Sequence, residues 1–216
     1  MKFNQFKQKI NHLPVFSTSM LGSLTNDPAT LKVQLSSWGK KGLVSLLRRG
    51  LYVLGAQERK INPSHFYLAN QIYIPSYVSM ESALAYYELI PEFVALTTSI
   101  TVRKTARFEN EFGIFMYQHI HAGAYGGFET LKAVDDLPVF VATPEKAVVD
   151  FIYLNLSKFG FSDTRVFTES YRFQNCGNLN RSELQKYAKR FKSKKLLTII
   201  DLFIETCIQP AKRSRP

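Results

Sequence analysis

Apolar residues recur along this chain at spacings of three to four and of two, and the alternation between them marks out its elements. Phe3, Phe6 and Ile10 share one face of a helix expected over residues 2–13, with Pro14 ending it. Ser17, Thr18 and Ser19 offer caps for a short second helix through Leu24, and Thr25-Asn26 makes a turn. Asp27-Pro28 then opens a third helix, because Asp accepts bonds from orphan N–H groups and Pro suits the first helical position. Leu31, Leu35 and Trp38 form its buried stripe, and Gly42 follows its end after Lys40 and Lys41. Next come residues 43–47 and 51–54, of β-type composition, around a turn made by Arg48, Arg49 and Gly50.

A polar segment over 55–63 reads as a linker. After it, helices are expected near 63–71 and from Ser79 to Pro91, the latter burying Ala83, Leu84 and Tyr87. Residues 96–104 and 112–121 are rich in β-branched and aromatic side chains and read as a hairpin joined by a charged turn. Residues 139–142 read as a strand, and Thr143-Pro144 caps a helix burying Ala147, Val148, Phe151, Ile152 and Leu154. The tail is helical, with a segment around 163–173 and two periodic helices over 181–191 and 194–207. The pattern predicts an α+β protein. Three helices and a β-hairpin over residues 1–56 are in winged helix-turn-helix order; a mixed α/β unit follows over 62–160, and a basic helical region over 161–216 packs on it.

In the third helix, Val33, Ser36, Ser37 and Lys40 point away from the apolar stripe, flanked by Thr30 and Lys32. That face is small, polar and basic, with Lys41 at its end, and no carboxylate on it would repel phosphates. Ser, Thr and Lys suit phosphates or base edges, and Val suits a thymine methyl. Arg48 and Arg49 at the hairpin tip suit phosphates or a minor groove. These residues are the candidate double-stranded DNA interface.

Composition strengthens the picture. Of 216 residues, 45% are hydrophobic and the net charge is +11, so the chain is globular and attracts polyanions. The charge is unevenly spread: residues 1–60 carry +8, residues 61–161 carry −4 and residues 162–216 carry +7. The middle therefore has work other than DNA binding. In the tail, Lys186, Lys189, Arg190, Lys192, Lys194 and Lys195 form a basic cluster that either extends the DNA surface or is a solvated helix face. The N-terminus lacks the apolar core of a signal peptide, and residues 196–208 are too short and too charged to span a bilayer. With two cysteines, Cys176 and Cys207, in no metal or disulfide pattern, a reducing cytoplasm is expected.

Candidate chemistry is sparse. His119 and His121 would share one face of a strand, without a third ligand at matching spacing. Asp135 and Asp136, then Glu145 and Lys146, faintly resemble a metal-dependent nuclease set, but the acid and lysine are adjacent rather than two apart. Glu145 and Asp150 read as helix residues with structural roles. No catalytic residue, metal ligand or cofactor is expected.

Several segments in order resemble the AbiEi-type antitoxins of abortive-infection toxin–antitoxin systems, over about residues 10–155. They are Arg48-Arg49-Gly50-Leu51-Tyr52, the run Tyr77-Val78-Ser79-Met80-Glu81-Ser82-Ala83-Leu84-Ala85-Tyr86-Tyr87, then Phe115-Met116-Tyr117-Gln118-His119-Ile120, and Ala142-Thr143-Pro144-Glu145-Lys146-Ala147-Val148-Val149-Asp150. One departure is Glu88-Leu89-Ile90, where relatives often carry Gly before the Leu. The resemblance implies an autorepressor binding inverted repeats in its operator. It also implies that the second unit counteracts a nucleotidyltransferase-like toxin without a stable complex. Two other readings stay open: a stand-alone regulator with a sensing unit, and a nuclease to which the winged helix delivers DNA.

Overall fold

A computed structural model describes the chain except residues 26, 93, 133–135, 161 and 209–216. Asn26 of the expected turn, Asp135 and the terminal AKRSRP therefore lie outside the described residues. The protein is mixed α and β with two sheets.

The N-terminal elements are α1 (Phe3–Ile10), β1 (Phe16–Ser17), α2 (Pro28–Lys40), β2 (Val44–Arg48) and β3 (Leu51–Leu54). The expected second helix is only a 3-10 turn over Met20–Ser23, and the short strand β1 precedes it where the sequence offers only helix caps. In α2, the Asp27 carboxylate accepts from the Thr30 N–H at 3.0 Å. Gly42 past its end takes φ +70°, a conformation that favours glycine. Leu31, Leu35 and Trp38 are buried with Phe6, Ile10, Phe16 and Val44, and the Phe6 and Trp38 rings lie 5.0 Å apart.

The small sheet runs β1-β3-β2, antiparallel throughout. It is shared between two cores. Val44 and Leu54 join the α2 cluster, whereas Leu47, Leu51 and Val53 join the large core of the rest of the chain. Polar contacts follow the same seam: Asn110 Nδ2 donates to the Leu47 carbonyl at 3.0 Å, and Arg48 Nε donates to the Ile72 carbonyl.

The rest is built on α3 (His65–Ile72), β4 (Ser76–Val78), α4 (Met80–Tyr86), β5 (Thr97–Thr101), β6 (Ala106–Asn110), β7 (Gly113–His119), β8 (Phe128–Lys132), β9 (Pro138–Ala142) and α5 (Pro144–Leu154). Helices α6 (Arg181–Arg190) and α7 (Lys194–Cys207) close it, with a π-helical turn at Val166–Ser170. The sheet order is β6-β7-β5-β4-β9-β8.

The expected hairpin of residues 96–104 with 112–121 is not formed. β5 and β7 are parallel neighbours, and β7 makes its hairpin with β6, the segment that reads as a charged turn. The physical reason is that β6 alternates, with Arg107 and Glu109 exposed and its other positions half-buried. The α4 helix also stops at Tyr86, short of Pro91, with Glu88 at φ 55°.

Register puts Tyr77 and Ile100 on one face of the sheet and Tyr117 on the other. On the Tyr117 face its hydroxyl donates to the Ala69 carbonyl of α3 at 2.7 Å. On the Tyr77 face lies α5, with α6 and α7 outside it; Leu184, Ala188, Leu196, Ile199 and Ile200 enter the same core. Among the described residues no helix is long and apolar enough to cross a membrane.

Candidate nucleic-acid interface and a buried charge pair

Because the buried stripe fixes the rotation of α2, its opposite face is presented to solvent. Thr30, Lys32, Val33, Ser36, Ser37 and Lys40 are all exposed, as is Lys41 beyond the helix. Val33 is 71% exposed, an apolar side chain held outward among polar neighbours. Two acids occur in residues 1–60, Asp27 and Glu58. Glu58 is neutralised by Lys7 at 2.7 Å. Asp27 is engaged in capping: the Thr30 hydroxyl and then the Thr30 N–H hold its carboxyl below the ordinary range. Thr30 thus serves the cap as well as the exposed face.

The two arginines separate. Arg49 is exposed at the tip of the turn. Arg48 is half-buried, its Nε on the Ile72 carbonyl and its Nη1 on the Arg49 carbonyl at 3.2 Å. Arg48 therefore ties the hairpin to the end of α3, and Arg49 is the side chain free to reach outward.

The other residues singled out from the sequence are scattered. His119 ends β7 with its Nδ1 2.9 Å from the Arg103 carbonyl oxygen, while His121 lies beyond the strand with its ring 5.9 Å from that of Phe191. Asp136 faces Lys132 at 3.8 Å. Glu145 Oε1 accepts from the Asn180 N–H at 2.9 Å and so holds the chain leading into α6. Cys176 and Cys207 are free thiols. Among the described residues no group of three potential ligands is placed to hold a metal ion.

The sequence pattern did not reveal a buried charge pair. Lys146 and Asp150, one turn apart on α5, are fully closed to solvent and bonded to one another. The Tyr77 and Ser79 hydroxyls donate to the second Asp150 oxygen at 3.0 and 2.8 Å. The Lys146 ammonium lies 4.9 Å from the Phe191 ring centre and 5.6 Å from that of Tyr77. Burial drives the Asp150 carboxyl above its ordinary range and the Lys146 ammonium below its own, and their mutual attraction opposes both.

Gly127 leaves room for this pair. A Cβ there would meet Tyr187 Cε1 at 2.6 Å and Lys146 Cδ at 3.2 Å. Closed off in this way, the cluster meets no solvent and holds α5, the β4–α4 junction and α6 together. A signal for it existed: Ala147, Val148, Val149, Phe151 and Ile152 make α5 apolar around its whole girth, so charges at 146 and 150 must enter the core.

No protein-family model matches this chain, and no curated protein matches it. The outward basic face of α2 is joined through a shared sheet to a unit that holds a buried charge pair inside and exposes a second basic group, Lys189, Lys192 and Lys194, at its C-terminal helices.

Proposed function

We propose that the chain is a sequence-specific DNA-binding autorepressor and antitoxin of a bacterial toxin–antitoxin system. In this reading residues 1–56 are a winged helix-turn-helix with a reduced middle helix, α2 is the recognition helix and the β2–β3 hairpin is the wing. The observation that carries it is the outer face of α2: Thr30, Lys32, Val33, Ser36, Ser37 and Lys40 all exposed with no carboxylate among them. An exposed valine inside a basic, hydroxyl-rich face suits contact with a thymine methyl. Arg49 adds a wing contact to phosphate or minor groove.

The antitoxin half of the proposal is supported by the ordered resemblance to AbiEi-type antitoxins. It makes the partner a nucleotidyltransferase-like toxin and the working compartment the cytoplasm. No step requires catalysis or a cofactor on this chain.

The test has two arms. Fluorescence anisotropy should show binding to the DNA upstream of the chain's own gene that exceeds binding to scrambled DNA and falls steeply with salt. Co-expression should rescue cells from a toxin encoded alongside. Equal affinity for scrambled DNA overturns the operator reading. Failure of rescue with operator binding intact leaves a stand-alone regulator.

A further inference from the structure

Residues 61–161 are acidic in sum, at −4, but their charges are sorted along the large sheet. Glu81, Glu88 and Glu92 gather where β5 begins, around two hollows that Leu96 also lines. Arg103 and Lys104 stand at the opposite end, in the turn that follows Thr101 and leads into β6. Both are exposed. The acid nearest to them in sequence, Glu109, is paired with Arg107 at 2.7 Å.

This basic turn is fastened to the same short segment as the hairpin of β2 and β3. Arg48 Nε donates to the Ile72 carbonyl, and Arg103 Nη1 donates to the Ile74 carbonyl at 3.1 Å. Two residues of chain span at most about 7 Å, so the two basic elements are anchored side by side. Tyr73 lies between the anchors. Its ring centre is 4.3 Å from the Arg103 guanidinium, and its hydroxyl donates to the Lys104 carbonyl at 3.1 Å. On the other flank, His119 Nδ1 is 2.9 Å from the Arg103 carbonyl oxygen. The turn is thus held by its main chain and by one guanidinium edge. Among the described residues no carboxylate pairs with the Lys104 ammonium. An ammonium without a partner, on a backbone already fixed in place, suits a phosphate: little ordering is needed on contact, and a bound counterion is released.

We propose, resting on the DNA reading of α2, that Arg103 and Lys104 make a second contact to the DNA backbone beside the wing. Phosphate is the partner that a lysine meets as a point charge, without reading sequence. The contact extends the footprint past the bases that α2 reaches, and the carboxylates of the same unit stand at the far end of the sheet, where they do not oppose it.

Salt-dependent anisotropy of the full chain on the upstream duplex tests it. Lys104→Ala should flatten the slope of log K against log salt by about 0.9, one phosphate contact, and Lys104→Arg should keep the wild-type slope. Lys158→Ala removes the same charge at the Glu81 end of the sheet and should leave the slope as it is. Lys104 gives the fold only its carbonyl among the bonds of the described residues, so Lys104→Ala should fold as the wild type does. An unchanged slope in Lys104→Ala overturns the second contact and leaves the α2 reading standing, because the wild type still binds. A slope flattened equally by Lys104→Arg or by Lys158→Ala overturns it too. No salt-dependent binding by the wild type overturns both readings.

Discussion

Lys146 donates to Asp150 one helical turn further along α5, and neither side chain has any exposure. Removing one partner strands the other charge in the core, whereas removing both does not. Asp150→Asn or Lys146→Met should each lower unfolding free energy by roughly 3–5 kcal/mol. The double variant should recover a substantial part of that loss. Urea denaturation of the four proteins at neutral pH measures it. A double variant as unstable as the sum of the singles would show that the two residues do not act as a pair.

A second prediction concerns Gly55, where the chain leaves β3. Its N–H donates to the Leu43 carbonyl at 2.9 Å, and a Cβ would come within 1.9 Å of the Gly42 carbonyl oxygen. Backbone cannot yield here as a flexible side chain does, so Gly55→Ala should cost at least about 1–3 kcal/mol, the range of overpacked cores. The single tryptophan, Trp38, is buried in this module. Its fluorescence during thermal unfolding reports the loss where it occurs, and an unchanged midpoint would rule out the tight approach.

The Asp27 cap makes a pH-dependent prediction. Its carboxyl is held below the ordinary value by Thr30. A depressed carboxyl contributes stability that is present above its unfolded-state pKa and lost as pH falls through the folded one. Asp27→Ala should therefore lower the midpoint followed by Trp38 at pH 7, and the gap from wild type should narrow as the pH falls below about 4. A gap of constant size from pH 7 to pH 3 would mean that the carboxylate is not the capping group.

These cases show which features the sequence makes legible. The ends of α2 and α5 follow from Asp27, Pro28, Thr143 and Pro144, whose side-chain chemistry acts within a few residues. The rotation of α2, and so the exposure of Lys32, Val33 and Ser36, follows from Leu31, Leu35 and Trp38 alone. Strand pairing is non-local. The β-type composition of β5 and β7 fits parallel and antiparallel neighbours equally, and the charged residues of β6 hide its pairing. Lys146 and Asp150 stand at the spacing of a surface ion pair, and only the apolar residues between them distinguish the buried case. The hollow at Glu81 carries no local mark at all, because the groups around it come from α4, the segment between α4 and β5, β5 itself, α5 and the π-helical turn.

The adjacent arginines of the hairpin should behave differently despite their shared chemistry. Arg49 is exposed at the turn, whereas Arg48 spends its Nε on the Ile72 carbonyl. Arg49→Ala should weaken binding to the upstream DNA and flatten the slope of log K against log salt by about 0.9, one phosphate contact, with unfolding unchanged. Arg48→Ala should instead lower stability by roughly 1 kcal/mol, the net worth of one hydrogen bond, and leave the slope nearly as it was. Lys32→Ala with Lys40→Ala, on the open face of α2, should flatten the slope by about 1.8. Salt-dependent anisotropy and urea denaturation on the same preparations separate the two effects. A slope that responds to Arg48 and not to Arg49 would reverse the assignment and move the wing contact to the side of the hairpin that faces α3.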